Sequence, residues 1–384
     1  MEASTTLPKS HRALVLGSVR DPLDMAVRER TTPTPAAGAA TVRILTSPVL
    51  SYGGDVYSGR KKAYNFPENF VPGFSAIGRI AAVGLDAALL KPGQLVFVDN
   101  YVHGRDDITA RFISGLYDGF TAGSKQLMHG EWRDSTYAEY YKAPLEACHA
   151  LDENRLLGSP AHGGLGYTLD DLVYIGYALV PFGGLWDVGL KPGEKVVVGP
   201  ATGPFGSLAV HLSLALGASQ VVAMGRNVEA LERLKASHRE DHGRLKTVRI
   251  TGDVKAETAA LREGGPADVF FDISPPAAVK SSHFQSGILS LGYNGRASLM
   301  GGQLEDIQLP VREVMHQCLT LRGKWMYEQG DVRTLIGLIQ AGIVRLGPAA
   351  DLNIVGRFPL ERFEEAFDVA AKNASPGRLV VFTS

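Results

Sequence analysis

The segment Lys195-Val196-Val197-Val198-Gly199-Pro200-Ala201-Thr202-Gly203-Pro204-Phe205-Gly206 runs from a buried-strand pattern into a glycine-rich turn, and an apolar helical stretch, 207–216, follows it. The strand residues are β-branched and continuous, as a parallel strand covered on both faces requires. Gly199, Gly203 and Gly206 fall where the chain turns sharply, and their missing side chains let an anion approach the backbone. Amides at the start of the next helix have no intrahelical partners, so with the macrodipole they form an anion site suited to a pyrophosphate. The strict pattern G-x-G-x-x-G is not met, because Ala201 stands at its first glycine. What remains is Ala201-x-Gly203-x-x-Gly206, which by itself also suits a bare strand-to-helix connection in a doubly wound domain. Read as a cradle, the loop assigns Thr202, Gly203, Pro204 and Phe205 to a dinucleotide.

Residues 220–224 read as the second strand of that unit. At its end a dinucleotide site expects an Asp or Glu for the ribose hydroxyls, and the chain instead reads Gly225-Arg226-Asn227. Without a carboxylate nothing repels a phosphate on the ribose, and Arg226 is a fixed cation able to meet one with a bidentate hydrogen bond. The inference is NADPH rather than NADH. A solvated Arg226 beside an Asn227 helix cap fits the same residues, and the two roles can coexist.

At 384 residues the chain is expected to form two domains. Its 39 Lys and Arg against 40 Asp and Glu leave a net charge of −1, with the cations spread along the chain, which argues against nucleic acid or an anionic membrane as partner. No apolar run is long enough to span a bilayer and no secretory signal is visible, so a cytoplasmic protein is expected. The two cysteines, Cys148 and Cys318, supply no disulfide framework and read as small buried hydrophobes.

The first part of the chain is punctuated by Gly and Pro between short strand patterns, 11–19, 42–46, the alternating second half of 71–84, and a strand fed by the turn within 90–98, which suggests a small barrel-like domain. Helical patterns follow at 169–180, with Thr168 as cap, and at 228–236, 254–263, 332–346 and 366–372. Strand patterns lie at 247–250, 268–272, 296–300, 319–327 and 379–382. Alternating strands and helices imply a parallel sheet in an α/β fold. Ser274 after one strand, and Met300 and Gly301 after another, fall at carboxyl ends where such sheets bind ligands, so cofactor contacts are expected there.

The order of Gly73-x-x-x-x-Gly78-x-Ile80-x-x-Val83-Gly84, then Pro92-Gly93 and a strand, then Thr136-Tyr137-Ala138-Glu139-Tyr140, then the nucleotide unit, resembles the medium-chain dehydrogenase/reductases. Lys191-Pro192-Gly193-Glu194, Gly217-Ala218 and Pro376-Gly377-Arg378-Leu379-Val380 look like that family too. The resemblance implies a Rossmann domain, 165–327, and a discontinuous GroES-like β-barrel catalytic domain, 8–164 with 328–384. It also implies a homodimer in which the sixth strand pairs across the axis.

The departures from the family pattern bear on mechanism. Zinc-dependent members carry a Cys where this chain has Tyr52, a His-Glu pair where it has Phe74-Ser75, and a third ligand near Val180-Pro181-Phe182-Gly183. Phenol, phenyl and hydroxyl groups do not replace thiolate and imidazole, and the cysteines of a structural zinc lobe are missing, so no metal is expected. The pair His238 and His242 lies in a strongly polar run and reads as a solvated helix end.

Without zinc, hydrogen-bond donors must stabilise charge developing on a substrate oxygen. Tyr52 is the first candidate and Tyr57 the reserve, because a phenol donates a hydrogen bond and then a proton. A half-buried Tyr52 bonded only to backbone is the competing reading. Phe74, Trp132, Phe182 and Trp186 are expected to line a pocket for a bulky apolar small molecule, although Phe182 and Trp186 also suit interdomain core and Trp132 a surface loop. The expected activity is NADPH-dependent reduction of an activated C=C bond in an enone or quinone. Ketone or aldehyde reduction, and a nonreductive cyclase, isomerase or binding role, are the alternatives.

Overall fold

The structure, a computed structural model, describes residues 7–241, 243–302 and 304–383. Internal contacts divide the chain into two compact units, Met1–Gly176 with Asn353–Ala374 and Arg378–Ser384, and Tyr177–Leu352 with Ser375–Gly377. The crossings come later than the sequence expectation of 164/165 and 327/328. The first falls inside the helix Tyr174–Asp187, and the second comes after the helix Gln329–Gln340. That helix buries Val332, Leu335, Ile336 and Ile339, an apolar face that groups with the second unit.

The first unit is built on a seven-stranded sheet. In order its strands are Asn353–Phe358, Arg378–Thr383, Ala39–Val49, Ala76–Val83, Leu95–Val98 and Cys148–Ala150, and Tyr140–Pro144 also pairs with Ala39–Val49. All pairings are antiparallel except that between Asn353–Phe358 and Arg378–Thr383. Alternation along these strands turns Ala40, Val42, Ile44, Ala76, Ile80, Val96, Val98 and Tyr141 onto one core. Each such branched or aromatic side chain contributes about 1.5–3 kcal/mol of burial. Cys148 lies in that core, as expected. Cys318 does not: it is exposed, with a positive φ of 51°, at the turn between the helix Val311–His316 and the strand Thr320–Gly323.

The second unit holds a six-stranded parallel sheet. Its order is Leu245–Arg249, Gln220–Gly225, Lys195–Gly199, Ala267–Asp272, Leu291–Leu299 and Thr320–Gly323. The chain winds outward from Lys195–Gly199 in one direction and then returns to its other side with Ala267–Asp272. That reversal opens a crevice at the carboxyl ends of these two neighbours, where doubly wound sheets bind ligands. Gly199 and Asp272 are register partners at that point. Val197, Val222, Met224, Phe270, Phe284 and Ile288 form the core beneath. Asn227 caps the helix Val228–Ser237 through Ala230 N, and Asp253 caps Val254–Leu261 through Ala256 N, each bond contributing about 1 kcal/mol. Among the described residues no helix is long and apolar enough to cross a membrane.

The helical pattern at 169–180 resolves into a 3-10 turn, Asp171–Val173, followed by the helix Tyr174–Asp187. Thr168 caps the turn rather than the helix, its hydroxyl donating to Asp171 Oδ2 at 2.8 Å and accepting from Asp171 N at 3.2 Å.

Candidate functional site

In the second unit the loop after Lys195–Gly199 leads into the helix Pro204–Ala215, whose N-cap is Gly203 with no side-chain capping bond. Two glycines there do opposite things. A Cβ on Gly206 would strike the Pro200 carbonyl oxygen at 2.2 Å, so the absent side chain lets the helix start fold back on the loop. A Cβ on Gly203 would meet nothing within 4 Å, so this glycine faces open space at the helix N-terminus. Thr202, Gly203, Pro204 and Phe205 are half-buried, and Phe205 is stacked on Tyr177 with ring centroids 5.2 Å apart. First-turn amides, a helix dipole and an unfilled glycine position make a cradle that fits a pyrophosphate.

At the end of the neighbouring strand, Gly225 packs under Thr202, where a Cβ would lie 2.6 Å from Thr202 Cγ2. Arg226 follows and is exposed, with no ion-pair partner among the described residues. Asn227 directs its side chain to the helix cap, so its carboxamide serves that helix.

Across the crevice the loop after Ala267–Asp272 is tied on both sides. Ile273 N donates to Gly199 O, Met300 N to Asp272 O and Gly302 N to Ser274 O. Beneath it sits a buried polar network absent from the sequence reading. Ser274 Oγ donates to Asp272 Oδ1, and His283 Nε2 lies 3.0 Å from Ser274 Oγ and 3.1 Å from Asp272 Oδ1. His283 Nδ1 meets Ser281 Oγ at 2.8 Å. The Ser274 hydroxyl, expected at a cofactor, is thus committed inward, and only its backbone remains for a ligand. Gly301 is pressed on Asp272 Oδ2, which a Cβ would approach to 2.5 Å, and Met300 is half-buried beside it. His283 carried no motif in the sequence, since only the fold brings it under residue 272.

Phe182 is 0% exposed and stacks on Trp186 at 5.3 Å between centroids. Phe182 is therefore core of the second unit, while Trp186 is 44% exposed.

In the first unit Tyr52 precedes the short helix Gly53–Tyr57, its carbonyl accepting from Val56 N at 3.1 Å. Its ring is half-buried, and its side chain hydrogen-bonds with the Tyr64 phenol rather than with backbone alone. Tyr64 lies 6.2 Å from Tyr52 and 6.0 Å from Tyr117, centroid to centroid. Lys61 places its Nζ 4.2 Å from the Tyr52 ring centroid. Burial raises the Tyr64 phenol above its ordinary value and lowers the Lys61 ammonium, with Asp55 drawing the latter back up. Neither Tyr64 nor Lys61 stood out in the sequence, because both belong to a loop without periodicity.

Tyr57 corrects the expectation of a reserve donor. It is 0% exposed, donates to Gly115 O at 3.0 Å, and desolvation pushes its phenol far up. Phe74 is buried, with its amide and carbonyl both bonded to Thr136 Oγ1. Trp132 is also largely buried, with Lys142 Nζ 5.8 Å from its ring, and Asp134 beside it accepts from Val71 N at 2.8 Å. This pins the loop as packed structure rather than as a free flap.

The residues where the resemblance places zinc ligands, Tyr52, Phe74-Ser75 and the region Val180-Pro181-Phe182-Gly183, carry neither thiolate nor imidazole and do not fit the metal, and Ser75 Oγ is closely covered by Gly176, where a Cβ would come within 1.9 Å. Among the described residues no group of three or more His, Cys, Asp or Glu is arranged to hold a metal. His238 closes the helix Val228–Ser237 and bonds Leu234 O through Nδ1, whereas its companion His242 lies outside the described residues.

Residues 204–341 match the family model described as zinc-binding dehydrogenase. A probable D-xylulose reductase A of Aspergillus clavatus is 30% identical over 237 residues, 61% of this chain, and the match spans only 60% of that relative's length. An E. coli CFT073 alcohol dehydrogenase complexed with NADH aligns at TM-score 0.75 and 17% identity, covering 98% of this chain and 100% of that one. A Sinorhizobium meliloti zinc-binding dehydrogenase bound to NADP aligns at TM-score 0.74 and 16% identity, covering 98% and 100%. With the doubly wound sheet, its cradle and the discontinuous β unit, these likenesses support the resemblance to the medium-chain dehydrogenase/reductase superfamily, whose fold the chain shares.

Proposed function

We propose that this chain is an NADPH-dependent oxidoreductase that works without catalytic zinc and reduces an activated C=C bond, as in an enone or quinone, of a bulky apolar small molecule. The observation that carries the proposal is Tyr52, a half-buried phenol bonded to a second phenol, at the position where zinc-type members keep a thiolate. A dinucleotide is held by Thr202, Gly203, Pro204 and Phe205 at its pyrophosphate and by Gly225 and Arg226 at its adenosine end. Bound there, NADPH supplies the hydride. Tyr52 donates a hydrogen bond to the substrate oxygen as negative charge develops on it, then gives up its proton, and solvent reprotonates the phenolate. Arg226 supports the choice of NADPH, since Gly225-Arg226-Asn227 stands where a ribose-binding carboxylate would end the strand.

A carbonyl acceptor is the second reading. The relative named for D-xylulose favours it, and the same phenol can protonate an alkoxide. A homodimer is proposed from the sheet edge. The strand Thr320–Gly323 ends the parallel sheet, and Val311 and Met315 on the preceding helix are exposed large apolar side chains.

The test is Tyr52→Phe. It should lower kcat on enones and quinones by about 10²–10⁴, the usual worth of a positioned proton donor, with NADPH affinity unchanged. An unchanged kcat removes Tyr52 from the mechanism.

A further inference from the structure

Lys61 and Tyr52 meet by the folding of a loop. The short helix Gly53–Tyr57 ends in a turn in which Lys61 N donates to Asp55 O at 2.9 Å, and this brings the lysine back over the residue that begins the helix. The ammonium then lies 4.2 Å from the Tyr52 ring centroid, over a half-buried phenol. The other groups around the pair can be named from each neighbouring element. Asp55 belongs to the same helix, but its carboxylate is already paired with Arg60 Nε at 2.8 Å, and Arg60 also holds Asp21. Tyr64 bonds the Tyr52 side chain and abuts Tyr117, and both phenols are raised by burial, so both stay neutral near pH 7. The helix Phe363–Lys372 presents an apolar ring, Phe367, to Gly53 and Gly54. Lys61 is therefore the cation set directly on Tyr52, and the bonded Tyr64 supplies a neutral phenol to share the charge left by a departing proton.

We propose that Lys61 is a positioning residue for Tyr52: its cation stabilises the phenolate and so makes this phenol, rather than a neighbouring one, the proton donor. The assignment rests on the proton-donor reading of Tyr52. A cation near a phenol favours its charged form, and an opposite charge within about 4–6 Å moves a pKa by roughly 1–3 units. The ring face adds a cation–π attraction that holds the ammonium in place while the phenol is neutral.

The pairing is measured without turnover. The chain has 13 tyrosines, so the protein is labelled with tyrosine carrying ¹³C at Cζ, and the Tyr52 resonance is identified by its loss in Tyr52→Phe. Its titration is followed in wild type, Lys61→Met and Lys61→Arg. We expect Tyr52 to titrate about one pH unit or more lower in wild type than in Lys61→Met, with Lys61→Arg, which keeps the cation, close to wild type. The basic limb of kcat on an enone should move by the same amount. Coincident Tyr52 titrations in wild type and Lys61→Met overturn the proposal. A titration that moves in a protein turning over no enone, quinone or ketone keeps the pairing and removes the reductase reading, so the two failures are distinct.

Discussion

His283 holds Nε2 3.1 Å from Asp272 Oδ1, and both side chains are buried where the chain turns from the strand Ala267–Asp272 into the crevice loop. Removing the imidazole leaves a buried carboxylate with a single hydroxyl, Ser274, as side-chain donor. His283→Ala should lower unfolding free energy by about 1–3 kcal/mol, read from urea denaturation. The same variant should weaken NADPH severalfold, because the freed loop also carries the backbone of Ser274. An unchanged urea midpoint would mean that the network contributes nothing to the fold.

Gly203 and Gly206 separate binding from folding. A methyl on Gly203 enters open space, so Gly203→Ala should keep the melting temperature and weaken NADPH tenfold or more, on the order of 1.4 kcal/mol. A methyl on Gly206 collides with the Pro200 carbonyl, so Gly206→Ala should destabilise the protein by about 1–3 kcal/mol. Calorimetry and nucleotide titration on the two variants check both halves. Normal NADPH affinity in Gly203→Ala would place the pyrophosphate elsewhere.

Arg226→Ala should weaken NADPH roughly ten- to a hundredfold, the worth of hydrogen bonds to a charged group, and leave NADH nearly unchanged. Fluorescence titration with both nucleotides decides it. Equal weakening of the two would mean that Arg226 does not meet the 2′-phosphate.

Much of this architecture was legible in sequence, for stated reasons. Continuous β-branched runs and helix caps such as Asn227 announce themselves locally, and they located the sheet and the cradle. Tyr52 was found through a resemblance in order rather than through any local signal. The sequence expectation set the second crossing before helix Gln329–Gln340, whose place in the second unit follows from long-range contacts that its amphipathic pattern does not announce. Tyr57 was read as a reserve donor, and Phe74 and Phe182 as pocket residues, because sequence does not distinguish an aromatic ring at a cleft from one in the core beside it. The network of Asp272, Ser274 and His283 and the pairing of Lys61 with Tyr52 arise from chain reversals that leave no periodic trace.

His211 gives the protein an acid-sensitive element. Burial, helped by His238 with ring centroids 5.7 Å away, lowers its pKa to about 4, and its Nε2 lies 2.9 Å from Arg345 O. The unfolded chain binds this proton near pH 6.5 and the folded protein only near 4, so stability is lost as pH falls through that window. Urea midpoints at pH 7.5 and 5 should differ more for wild type than for His211→Gln. Identical pH dependence in the two proteins would show that His211 is not the group responsible.

In the proposed reaction hydride passes from NADPH without zinc. Protein freed of metal by a chelator and checked by elemental analysis is mixed with NADPH, and nicotinamide absorbance is followed on adding a panel of enones, quinones and ketones. We predict NADPH oxidation with at least one enone or quinone, undiminished by the chelator and strongly reduced in Tyr52→Phe. Oxidation that disappears with the chelator and returns with zinc, or no oxidation with any acceptor despite tight NADPH binding, would contradict it.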